Sequence, residues 1–151
     1  MNASEGSQRL RRFLAALAVS AFALNWPWEM LQMPAYAEMA GKSWHETLGP
    51  CTRATLGDVA ITLGVCGVGV LASGSLRWPM AAKWSVYATA ALLGGACGTA
   101  YEWKALGTGR WSYTEAMPVV PLLDVGLWPL LQLALLVPLA VGLSGWWARR
   151  R

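Results

Sequence analysis

At 151 residues, 56% hydrophobic and 13% charged, the chain is too apolar for an ordinary soluble domain, in which about 25% of residues are charged. Its net charge of +4 comes from basic residues at the ends of apolar runs, with no aromatic-interleaved basic patch, so nucleic acid is not an expected partner. Three cysteines without a CxxC pair disfavour a dithiol cycle, and a lone His45 excludes bis-histidine haem ligation within one chain.

Residues 1–8 are polar and expected to be disordered. Arg9, Arg11 and Arg12 then precede an apolar segment, 13–33, that is long enough for a first membrane span. The basic start and Ala21-Phe22-Ala23 mimic a secretory signal, but the apolar character continues past Ala23, which favours a retained span. Pro27 should kink this helix and Pro34 help to end it.

Residues 34–53 read as a polar connection, with Ser43 and Glu46 in a capping-box spacing that predicts a short interfacial helix. A second span is expected at 54–76, a tight turn around Arg77-Trp78-Pro79, and a third span at 84–106. A loop through Gly107 to Met117 leads to a fourth span at 119–147, with Pro129 and Pro138 as kinks. Gly64-x-x-Gly67-x-Gly69 and Gly94-x-x-x-Gly98 suggest close packing of the two middle helices.

The fold class is thus all-α: one domain, a polytopic membrane protein of four helices in a bundle. Arg9, Arg11, Arg12, Arg77, Lys83, Arg149, Arg150 and Arg151 fall on one side, and Lys42, Arg53, Lys104 and Arg110 on the other. This bias predicts both termini in the cytoplasm.

Acidic residues run the opposite way. Counted from each helix's cytoplasmic basic residue at about 1.5 Å per residue, Glu29, Asp58, Glu102 and Gln132 all rise roughly 25–28 Å. Set in a core about 30 Å thick, they form one layer near the outer boundary. Each helix adds neighbours on the same face: Asn25, Gln32 and Tyr36 on the first, Tyr101 on the third, Asp124 and Trp128 at i, i+4 before Gln132 on the fourth. Burying several carboxylates together is costly unless they are protonated, paired or wet, so such a layer points to a functional site. Glu29, Asp58 and Glu102 are the candidate acids and bases. Asn25, Trp28, Gln32, Tyr36, Tyr101, Arg110, Trp111, Tyr113, Asp124, Trp128 and Gln132 are the candidate binding residues. The plainer alternative is that carboxylates at helix ends reach water and pair with Arg53 or Lys104. His45 with Glu38, Glu46 and Cys51 matches no metal-ligand spacing, and neither a metal nor a cofactor is expected.

The stretches Gly109-Arg-Trp-Ser-Tyr113, Met117-Pro118, Gly126-Leu-Trp-Pro-Leu-Leu-Gln132 and Trp28-Glu-Met-Leu-Gln-Met-Pro34 resemble a set of small, uncharacterised membrane proteins. That resemblance implies a four-helix protein of the bacterial inner membrane and no particular activity. The W-x-Y element ahead of a proline-started helix is also similar to the membrane-bound carotenoid (lycopene) cyclase domains. There the proline leads into paired carboxylates; here Leu130, Leu131 and Gln132 follow Pro129, so those acids are missing at that place.

Three readings follow. The first is a membrane enzyme or binding protein for a small, lipid-soluble, isoprenoid-like ligand, with aromatic faces able to stabilise a cation. The second is a proton- or cation-coupled transporter, since a carboxylate on the first of four helices also resembles the small multidrug exporters. The third is a structural or assembly subunit. The bilayer is the expected partner, and oligomers fit any of the three.

Overall fold

The computed structural model describes residues 3–150, and helix accounts for 76% of the chain. Four helices follow in order: α1 Ala3–Gln32, α2 Trp44–Ser73, α3 Trp84–Gly107 and α4 Leu127–Arg149. Three of them, α1, α2 and α4, are long and apolar enough to cross a membrane. α3 is diluted by glycine, threonine, tyrosine and Glu102 along its 24 residues.

The boundaries depart from the sequence reading in three places. α1 is already helical from Ala3, so residues 3–8, expected to be disordered, continue the first helix. No separate interfacial helix precedes the second span. Ser43 caps a single α2 of 30 residues, its backbone N–H donating to Glu46 Oε2 at 2.9 Å and its hydroxyl at 2.6 Å. Pro50, near the start of α2, is absorbed without ending the helix. The helix ends instead at Gly74, whose φ of 62° is the left-handed turn that glycine adopts without strain.

At the other end, α4 begins at Leu127 and not at residue 119. The intervening chain forms a small antiparallel hairpin, β1 Val119–Val120 paired with β2 Val125–Gly126. Asp124 makes its turn with φ 52°, so the expected Asp124–Trp128–Gln132 helical stripe does not exist. Pro129 consequently sits in the first turn of α4, where a missing N–H costs nothing.

α4 packs between α1 and α3, and α1 in turn packs on α2; α2 and α3 touch each other less closely than these neighbours do. Phe13, Leu17 and Ala21 of α1 meet Cys66 of α2, Val86 of α3 and Val141 of α4 in one cluster, with Val65, Ala90, Leu133 and Val137 in a second. Buried hydroxyls are satisfied within their own helices: Thr55 donates to the Cys51 carbonyl at 2.8 Å, Thr62 to Asp58 at 2.8 Å and Ser144 to Ala140 at 2.6 Å. Large apolar side chains face outward, including Leu31, Leu71, Trp84 and Leu92. The glycine expectation divides. Gly69 lies under the Trp78 ring and Gly94 against the α4 backbone, whereas Gly64 and Gly67 face open space.

Candidate functional site

Four side chains from two helices, α1 and α2, converge on the amide of Gln132 on α4, which is 2% exposed. Its Nε2 lies 3.0 Å from Asn25 Oδ1, 2.8 Å from Glu29 Oε1 and 3.0 Å from Asp58 Oδ2. Its Oε1 accepts from Gln32 Nε2 at 2.8 Å, and the same nitrogen donates to Glu29 Oε1 at 3.0 Å. Glu29 and Asp58 are brought together by accepting from this one nitrogen of Gln132. An amide nitrogen carries two hydrogens, so it serves only two of three acceptors at once. A proton on one of the two carboxyl groups would relieve the shortfall. One acceptor is left over: Gln32 Oε1 is buried without a partner.

Glu102 centres a second group. It accepts from the Tyr36 hydroxyl at 3.4 Å, from Trp111 Nε1 at 3.3 Å and from the Tyr113 hydroxyl. The rings of Tyr36 and Trp111 stand edge to face at 5.8 Å, those of Tyr36 and Tyr113 at 5.7 Å, and Tyr101 lies 5.6 Å from Trp111. Tyr113 also accepts from the Gly126 N–H at 2.9 Å, which ties the hairpin to this cage. Burial beside Glu102 raises the Tyr36 and Tyr113 hydroxyls above the ordinary phenol range, so both remain protonated donors.

The cage is held by a backbone pairing between two loops. Tyr36 and Tyr113 form an antiparallel bridge, with Ala37 N donating to Ser112 O at 2.9 Å and Thr114 N to Ala35 O at 3.0 Å. Glu38 fastens the pairing through the Ser112 N–H at 2.9 and 3.0 Å and the Ser112 hydroxyl at 3.0 Å. Its slight burial would raise the carboxyl, but these donors outweigh that and leave it below the usual range. A lowered folded value means that the contribution is present above the ordinary carboxylate range and is lost as pH falls through the folded value. Acidifying below about pH 4 should therefore deprotect the Ser112 amide in hydrogen exchange, while Glu38→Gln should remove most of that pH dependence.

Both groups face one cleft of about 400 Å3. Its polar lining includes Glu29, Gln32, Tyr36, Asp58, Glu102 and Gln132, and its apolar walls include Met33, Met39, Ile61 and Leu133. The expected layer is thus present as a continuous surface. Tyr101, Arg110 and Trp111 line it as expected; Asn25 and Tyr113 stand one contact behind, each bonded to a lining residue.

Three expected binding residues fall elsewhere. Trp28 is half-buried on another face of α1, Trp128 is exposed at the start of α4, and Asp124 is an exposed turn residue. The sequence reading assigned no binding role to Pro50, Arg53, Ala54, Gly57 and Ile61, which line the cleft with Asp58. Their spacing of three and four is a helical face, legible only once α2 is known to start at Trp44. Among the described residues, no three His, Cys, Asp or Glu side chains gather as a metal site would need. Compared with protein-family models, curated proteins and solved structures, the chain matches none.

Proposed function

We propose that the chain is a four-span protein of the bacterial inner membrane, both ends cytoplasmic, whose outer cleft binds and converts a lipid-soluble, isoprenoid-like molecule. α3 serves as the fourth span: its 24 residues extend about 36 Å, and Trp84 and Trp103 near its ends suit the two interfaces. The observation that carries the reading is that Glu29 and Asp58, joined through the Gln132 amide, line the same cleft as the rings of Tyr101 and Trp111.

Two carboxyl groups sharing a proton provide an acid and a base at one place. In an acid-type conversion, Glu29 gives its proton to one carbon of a substrate double bond, and the other carbon becomes a cation. The aromatic faces stabilise that cation. Loss of a neighbouring C–H proton to the carboxylate pair then forms a shifted double bond and restores the acid, so the net change is an isomerisation. Where a second double bond of the substrate first adds to the cation, the same proton loss completes a ring closure. Glu102, fixed by three donors, is the alternative base.

Expression in a host with a known isoprenoid profile tests this. The wild-type chain should shift the lipid-soluble extract, and Glu29→Gln at equal protein level should abolish the shift. The same proton-sharing pair supports a second reading, proton-coupled transport. That reading prevails if the extract is unchanged while membrane vesicles show proton-driven uptake that Glu29→Gln removes. If neither appears and a membrane partner co-purifies, the chain is an assembly subunit.

A further inference from the structure

We infer that the molecule bound in the cleft carries an anionic head group, held at the rim by Arg53 and Arg110, with its apolar tail leaving between α2 and α3. The inference rests on the reading that the cleft takes a lipid-soluble molecule, and it names the class.

Arg53 and Arg110 both line the cleft. Arg53 stands five residues before Asp58 on α2, about 7 Å nearer the outer end. Arg110 follows α3 and lies over the aromatic cage, its guanidinium 5.3 Å from the Trp111 ring centre and 5.8 Å from that of Tyr101. It commits one N–H to the Tyr101 hydroxyl at 2.8 Å. Among the described residues neither arginine has a carboxylate within ion-pair distance. Glu38, the acid at the same rim, is occupied by Ser112. The deeper acids take their hydrogen bonds from amides, phenols and an indole.

Two arginines without acidic partners at the mouth of an apolar cleft repel a cation and offer several donors to an anion. A phosphate or carboxylate head matches them, and the chain behind it continues past the paired acids. The volume of about 400 Å3 suits one head group and the start of one tail, near the lower end of small-molecule sites. Ala54 and Gly57 of α2 line the cleft, and a methyl group added at Gly57 would meet nothing within 4 Å. α2 and α3 are also the least closely packed neighbouring helices. A tail therefore has a lateral way into the bilayer.

Equilibrium binding to the full chain in phosphatidylcholine nanodiscs tests the inference, with farnesyl phosphate, farnesol and inorganic phosphate as probes. Farnesyl phosphate should bind at least tenfold tighter than farnesol, and inorganic phosphate should not compete. The Arg53→Gln/Arg110→Gln double variant should lose the tenfold preference and bind the phosphate and the alcohol alike. On the unaltered protein, the preference should shrink as salt rises from about 0.05 to about 0.5 M, which checks the charge without a substitution. Equal binding of the phosphate and the alcohol overturns the head-group inference and leaves the lipid-soluble reading standing. Binding of neither overturns both. Competition by inorganic phosphate, or displacement by phosphatidylglycerol added to the disc, overturns the single-chain class by showing a free-anion or bilayer-lipid site.

Discussion

Gln132→Leu should destabilise the folded chain by about 2–4 kcal/mol, read as a lowered thermal midpoint by tryptophan fluorescence in detergent. Leucine and glutamine are close in size, so the cost is not a cavity. It is the loss of one amide that joins α4 to both α1 and α2. Interhelical hydrogen bonds in membrane proteins contribute about 0.6 kcal/mol on average and up to about 1.7. Four partners left without their amide give the stated range, Asn25 and Gln32 being buried and Glu29 and Asp58 half-buried. Gln132→Glu should be worse than Gln132→Leu, since it removes the donors and places a third carboxyl group beside two. A midpoint unchanged in Gln132→Leu would mean that the network forms without holding the helices. A milder effect for Gln132→Glu would show that the donors are not what matters.

That network also marks how far the sequence could be read. Depth along each helix follows from residue count alone, because every helical residue advances about 1.5 Å. Counting from basic ends therefore brought Glu29, Asp58 and Gln132, from three helices, to one level before any contact was known. Rotation about the axis is legible where a helix has marked faces, as at Asn25, Glu29 and Gln32. It fails wherever the start of a helix is misjudged. Ser43 and Glu46 announced a helix start correctly, but nothing in the composition said that Pro50 would be carried inside one continuous α2. The cleft-lining face from Pro50 to Ile61 was lost with that boundary. Asp124 shows the opposite error: its spacing to Gln132 is helical, yet the chain folds back at 119–126 and gives it a turn. The loop pairing through Tyr36 and Tyr113 is a contact between distant segments, and no local pattern encodes it.

The second large effect is expected at Gly94. A Cβ there would lie 2.5 Å from the Leu133 carbonyl oxygen and 3.1 Å from its carbon, so it meets backbone and cannot be accommodated by a rotamer change. α3 and α4 would have to separate or slide. Gly94→Ala should destabilise by about 1–3 kcal/mol, the usual cost of forcing an extra methyl group into a filled contact. Gly95 is the internal control, since its Cβ would sit 3.6 Å from Ala134 Cβ and 3.7 Å from Leu130 Cδ1, ordinary contact distances. Gly95→Ala should be neutral or stabilising by up to about 1 kcal/mol, because alanine gives up less backbone freedom in a helix. The functional consequence reaches the cleft, as Glu102 stands two turns beyond Gly94 on the same helix and Gln132 is next to Leu133. A displaced α3 moves the Glu102 cage away from the Gln132 network, so Gly94→Ala should also lose ligand binding under conditions where it is still folded. Equal midpoints for Gly94→Ala and Gly95→Ala would show that α3 and α4 are not in backbone contact here. The two halves of the cleft would then have no fixed spacing to hold a substrate.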